Sequence, residues 1–165
     1  MTHEELLGFL SDRIVIFEGG LGTMLQEAVP GHHILELLNV EHGEEVLGVH
    51  KAYSAIADVV CTNTFGGTSI KLAAAGLADR AAELNAARAQ LARAGAGDGA
   101  LVAGDMGSTG RLVEPLGDLT FWEAYDAFRA QAEVLAEGGV DFILIETMSD
   151  LKEAKAALLA AREST

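Results

Sequence analysis

VVCTNTFGG (59–67) joins an apolar, β-branched run to a cluster of Thr, Asn and Gly, and a helical pattern follows it. IVIFEGGLGT (14–23), LVAGDMGSTG (101–110) and FILIETMSD (142–150) repeat that arrangement before and after it. Short apolar runs of this kind suit strands buried on both faces. Their alternation with helices argues for parallel strands joined by right-handed crossovers. Parallel β/α proteins gather their chemistry at the carboxyl ends of their strands. Four such ends amount to about half of a closed (β/α)8 barrel. The expected fold is therefore α/β: one domain over residues 1–165, the parallel (β/α)4 half of a TIM barrel.

The predicted strands span residues 14–17, 59–62, 101–103 and 142–145. Helical patterns cover residues 4–10, 24–27, 44–57, 70–75, 79–94, 121–137 and 151–162. Residues 32–43 read as irregular, with an apolar patch at Ile34, Leu35, Leu37 and Leu38. Thr120 with Glu123 three residues on has the form of a capping box. Gly76 reads as a helix C-cap, and Ser149 or Asp150 as the N-cap of the last helix. A closed barrel takes about 250 residues, and this sequence of 165 ends on a helical pattern. A truncated half-barrel is expected. The alternative is a self-associating half whose open strand edges pair with a second copy, a binding or assembly module without catalysis of its own.

Eleven basic and 25 acidic residues give a net charge of −14. Such a surface repels phosphate backbones and anionic lipid, which argues against nucleic-acid and membrane partners. A single cysteine excludes an intramolecular disulfide framework and fits a reducing, cytoplasmic setting. No apolar run reaches the roughly 18–20 residues that span a bilayer. The opening MTHEELLGFLSDR (1–13) is acidic and amphipathic, unlike a secretory signal.

FEGGLGTM (17–24) places Gly-x-x-Gly after a strand but lacks the Lys-Ser/Thr of a P-loop and the dinucleotide spacing. Its backbone N–H groups suit a small anion such as a carboxylate. Glu18, Asp105 and Glu146 each stand at a predicted strand end, and three acids there make a mouth suited to an ammonium group. Asn63 can donate and accept at the same mouth; an Asx turn is the competing role. Cys61 lies within a strand and reads as a small apolar residue. His32, His33, His42 and His50 fit no standard zinc spacing and read as loop and helix-surface residues. Phe121, Trp122, Tyr125 and Phe128 follow helical spacing and read as packing. No catalytic or metal residue is assigned.

FEGGLGTMLQ (17–26), residues 36–72 with their TNTFG core, GDMGSTGRLVEPLG (104–117) and FILIETMSDLKEAKAALLAARE (142–163) resemble the homocysteine S-methyltransferase family in order and spacing. The resemblance covers nearly the whole chain. It implies the first half of a homocysteine-binding (β/α)8 barrel that also binds zinc. Zinc lowers the thiol pKa, so the bound sulfur is a thiolate. That thiolate takes a methyl group from methylcobalamin, betaine or another donor, and methionine results. By resemblance, Glu18 stands where the family has Asp, one methylene shorter, and contacts the substrate ammonium. Gly20 and Leu21 backbone N–H groups hold its carboxylate. Glu146 is the second acid at the ammonium, and Asn63 and Asp105 shape the mouth. The family's three zinc cysteines fall beyond the fourth strand, after this sequence ends, and Cys61 is at none of those positions. The implied partners are homocysteine, a methyl donor and either the missing barrel half or a second copy. The chain alone is expected to be inactive.

Overall fold

The structure, a computed structural model, describes residues 2–11 and 13–164. Its elements run α1 (His3–Ser11), α2 (Leu21–Ala28), α3 (Leu38–Glu41), α4 (Gly43–Ser54), β1 (Val59–Cys61), α5 (Ser69–Ala73), α6 (Ala81–Ala96), β2 (Leu101–Met106), α7 (Phe121–Glu137), β3 (Phe142–Ile145) and α8 (Leu151–Ser164). Single 3-10 turns lie at Leu35–Leu37 and Ala78–Arg80. The sheet is parallel and open, in the order β1-β2-β3. Val59 and Val60 of β1 are fully buried, as a β-branched strand between helices and neighbouring strands should be.

The first predicted strand departs from expectation. Residues 14–17 run extended beside β1 but form only one bridge, Phe17 to Val59. Ile16 O accepts from Asp58 N (2.8 Å), and Glu18 N donates to Val59 O (2.9 Å). The Asp58 carboxylate secures this edge by accepting from Arg13 Nη2 and from Ile16 N. Ile14 is 90% exposed and Ile16 55% exposed, so the two-face burial expected of them fails. Burial on both faces needs a strand on each side and cover above and below. Among the described residues, 14–17 have β1 alone.

The sequence pattern also understated two segments. β2 continues to Met106 rather than ending at residue 103, because β3 pairs with it through Gly104, Asp105 and Met106. Residues 35–41 are helical turns rather than irregular chain, and Leu38 is buried with Leu25, Val46 and Val49. α5 ends at Ala73 with Ala74 as its C-cap rather than Gly76; Gly76, at φ +72°, lies in the turn that follows, where Leu77 N donates to Leu72 O (3.0 Å). Asp150 supplies the last helix with a side-chain bond to Lys152 N.

The main core lies between the sheet and the α7–α8 pair, around Met106, Leu119, Phe128 and Leu135. Ala156, Ala157 and Ala160 present a small-residue face that lets α8 lie close to α7. Phe128 and Tyr125 pack as expected of the aromatic pattern, whereas Trp122 is 65% exposed and stacks edge-on against Phe121 and Tyr125.

The α7 capping box is complete. Thr120 Oγ1 accepts from Glu123 N (3.2 Å), and the Glu123 carboxylate accepts from Thr120 N (2.8 Å). Thr120→Ala should lower the stability of the chain by about 1 kcal/mol, read as a shifted urea midpoint at unchanged slope. A variant with the wild-type midpoint would show that the cap contributes nothing.

Candidate functional site

The carboxyl ends of residues 14–17, β1, β2 and β3 open onto one cavity of about 740 Å³. Glu18, Gly20, Leu21, Asn63, Asp105 and Glu146, the six residues singled out in the sequence, all line it. The parallel topology causes this convergence: each polar cluster follows a strand pointing the same way.

Glu18 follows the edge segment and turns into the cavity. Its carboxyl is pushed up to about 8, first by burial and then by Glu146. The Cys61 backbone N–H offsets part of that rise. It does not reach hydrogen-bond geometry, and both Glu18 carboxyl oxygens are buried without a partner. Asp105, on β2, is also pushed up to about 8, by burial first and then by Glu146, Glu18 and Glu36. Its Oδ1 is buried and unpaired. Two carboxyls held mostly protonated near neutral pH, with Glu146 exposed at the rim, form a site that gains from a cation. An ammonium group would remove both the desolvation cost and the mutual repulsion.

The glycine loop turns before α2. Leu21 N donates to Gly19 O (2.8 Å), which closes a tight turn around Gly20. That engages one of the two amides expected to face a carboxylate. Gly20 N and Gly22 N have no hydrogen-bond partner among the described residues, and both residues line the cavity. First-turn amides of a helix are unsatisfied within the helix and favour anions.

Asn63 is oriented by its partners. Its Nδ2 donates to Leu35 O (2.7 Å) and to Asn39 Oδ1 (3.3 Å). Both partners are acceptors, so the amide nitrogen is fixed there and Oδ1 remains an acceptor. This bond pair joins the loop after β1 to the 35–39 segment. Glu36 makes a second join, accepting from Gly66 N (2.9 Å).

Glu36, His33 and Phe65 line the cavity and were missed in the sequence. Glu36 and His33 lie in a segment read as irregular, and only the tertiary fold carries it across the mouth. Cys61 also lines the cavity. Burial first, and then Glu18, Asp105 and Glu146, push its thiol far up. The thiol is held neutral in the cavity wall. His50 corrects the surface assignment: it is fully buried on α4 against α6, and burial lowers its pKa to about 4. His32 and His42 stack edge-to-face near the surface.

Zinc is the metal implied by the sequence resemblance. Among the described residues, no group of three or more His, Cys, Asp or Glu could hold a metal ion, and the one cysteine is kept as a thiol. The described residues of this chain do not compose a zinc set. Among the described residues no helix is long and apolar enough to cross a membrane.

The chain is 33% identical over 176 residues to methionine synthase of Mycobacterium tuberculosis, a match covering 97% of this chain and 14% of that protein. It is 31% identical to methionine synthase of Mycobacterium leprae with the same coverage. The chain thus spans 14% of the length of these curated relatives. The metallated form of the homocysteine methyltransferase MmuM from Escherichia coli superposes with a TM-score of 0.77 at 23% identity, over 96% of this chain and 64% of that one. Its oxidised form gives 0.80 at 23% identity, over 96% and 63%. That likeness shows the fold, a (β/α)4 part of a TIM barrel. A profile described as homocysteine S-methyltransferase matches residues 15–165, and by that match this chain belongs to the homocysteine S-methyltransferase family.

Proposed function

We propose that this chain forms the amino-acid-binding half of a methyltransferase barrel that converts homocysteine to methionine. The supporting observation is the single cavity where Glu18, Asp105 and Glu146 meet the unsatisfied amides of the α2 loop. Acids and free N–H groups lining one cavity match the ammonium and the carboxylate of an amino acid. In this proposal Glu18 and Glu146 take the substrate ammonium, Gly20 and Gly22 N–H take its carboxylate, and Asn63 Oδ1 and Asp105 shape the wall between. Leu21, whose N–H is engaged by Gly19 O, contributes its side chain. Zinc at the sulfur is what the family implies, and the described residues of this chain supply no ligand set for it. The methyl group would come from methylcobalamin or another donor. A cytoplasmic setting belongs to the same proposal and rests on the family.

Calorimetric titration of the chain with L-homocysteine tests this assignment. Glu18 and Asp105 hold protons below about pH 8, and an arriving ammonium favours their ionised forms. Binding should therefore release protons, and its enthalpy should differ between Tris and phosphate at pH 7. Affinity should rise from pH 6 to pH 8. Glu146→Gln should weaken binding about tenfold, the order expected for losing one charge-assisted hydrogen bond. Homocysteine binding with no proton release and no loss in the Glu146 variant would overturn the assignment.

A further inference from the structure

A buried ring of hydrogen bonds behind the cavity wall, one member of which (Thr62) also lines the cavity, holds Asp105 in place. β1 loses its backbone ladder to β2 after Thr62 N donates to Ala103 O (2.9 Å). The chain then folds back, with Thr64 N donating to Thr62 O (2.8 Å). Asp105 N–H and C=O on that side would be orphaned at this point. Side chains replace the missing strand. Asp105 N donates to Thr62 Oγ1 (2.9 Å), Thr64 Oγ1 donates to Asp105 O (2.5 Å), and the two hydroxyls lie 2.5 Å apart.

Proton counting fixes the direction of the third bond. A hydroxyl has one proton. Thr64 spends its proton on Asp105 O, so Thr62 must donate to Thr64 Oγ1. The result is a closed one-way ring: Asp105 N–H to Thr62, Thr62 O–H to Thr64, Thr64 O–H to Asp105 C=O. Thr62 and Thr64 are fully buried, where such chains polarise one another. Gln131, buried on α7, donates through Nε2 to Thr64 O (2.8 Å) and more weakly to Asp105 O (3.4 Å). It thereby bridges the ends of β1 and β2 from the outer layer. No described group bonds Asp105 Oδ1, so the direction of the carboxyl is set by its clamped backbone.

We propose that Thr62, Thr64 and Gln131 are positioning residues that fix Asp105 in the cavity wall. Their effect on ligand affinity rests on the homocysteine assignment above, while their effect on Asp105 itself does not. Two measurements separate the two. Amide hydrogen exchange and a carbon-13 titration of the Asp105 carboxyl read the clamp without ligand; calorimetry with homocysteine reads the site.

Thr62→Val removes the acceptor for Asp105 N–H, and exchange there should accelerate at least about tenfold more than at Ala103 or Met106. Thr64→Val should shift the Asp105 carboxyl titration and weaken homocysteine binding about tenfold. Thr62→Ser and Thr64→Ser keep the hydroxyls and should restore wild-type values. Gln131→Met, which preserves size, should move the same readouts in the same direction by less and serves where a valine variant fails to fold. Unchanged Asp105 exchange and titration in the Val and Met variants, or a change no larger than at neighbouring amides, would overturn the proposal. Altered Asp105 readouts with no homocysteine binding even in the wild type would uphold the clamp and sink the substrate assignment instead.

Discussion

The double variant Glu18→Gln/Asp105→Asn is expected to be more stable than the wild type at pH 9, by at least roughly 5 kcal/mol, and about equally stable at pH 4. Both carboxyls are buried at the cavity wall and pushed up to about 8. Burial is the first cause for each, and mutual repulsion with Glu146 follows. In the unfolded chain the same groups titrate near pH 4. The folded state therefore binds these protons more tightly than the unfolded state. The stability this confers is full below about pH 4 and drains away as pH rises through about 8. A tenfold difference in proton affinity between the two states is worth about 1.36 kcal/mol. Because the two carboxyls repel each other, their contributions do not add, which brings the pair to the order stated. The amide variants carry no charge to desolvate and should show a nearly flat profile. The measurement is urea unfolding of both chains at pH 4, 6, 8 and 9, with exposed Glu44→Gln as a control for the net charge of −14. A stability difference that does not grow between pH 4 and pH 9, or one matched by the control, would show that these carboxyls ionise freely in the fold. The same stored penalty makes the cavity receptive to a cation, so the pH profile of stability and the proton release on binding have one origin.

How much of this was legible in the sequence depends on how local each signal is. FILI (142–145) coincides with β3, and the strand expected at 59–62 matches β1 to within one residue, because β-branched and aromatic runs between turn residues need no information from elsewhere. The Thr120–Glu123 cap was equally local. Glu18, Asn63, Asp105 and Glu146 were found because parallel topology sends every strand end to the same side. Glu36 was not, since it reaches the cavity through a bond to Gly66, 30 residues on. His50 was misplaced for a related reason. On its own helix it looks like a polar-face residue, but α6 brings Gly95 against it, so close that a Cβ there would lie 2.4 Å from His50 Cβ. The segment 14–17 has the composition of a buried strand, and composition cannot say whether a second neighbour is present. The Thr62–Thr64–Asp105 ring escaped because a Thr-x-Thr pair after a strand looks like any turn until the register with β2 is known.

Gly67→Ala should cost about 2–6 kcal/mol and take the cavity with it. Gly67 ends the loop that carries Asn63 and Thr64. A Cβ added there would lie 2.2 Å from Asn85 Oδ1, 2.7 Å from Gln131 Nε2 and 2.9 Å from Thr64 O. None of the three can yield cheaply. Asn85 Nδ2 is held by Gly67 O (2.8 Å) and Ala81 O (2.7 Å), and Gln131 Nε2 by Thr64 O, all in the interior. Thr64 O is backbone within a tight turn, since Gly67 N donates to it at 2.8 Å. Overpacking alone costs about 1–3 kcal/mol. Displacing Asn85 or Gln131 adds the penalty of a buried polar group left without its partner, about 1–3 kcal/mol. Gly48→Ala is the matching control: that glycine lies within α4, exposed, with nothing within 4 Å of a new Cβ. It should stabilise the chain by about 0.5–1 kcal/mol, the ordinary helix-interior gain. The two alanines should therefore move the urea midpoint in opposite directions, and the Gly67 variant should also lose Asp105 amide protection. A Gly67 variant within about 1 kcal/mol of wild type would mean that α6 and α7 do not hold the β1 loop as tightly as these distances require. The cavity would then owe its shape to the strand ends alone.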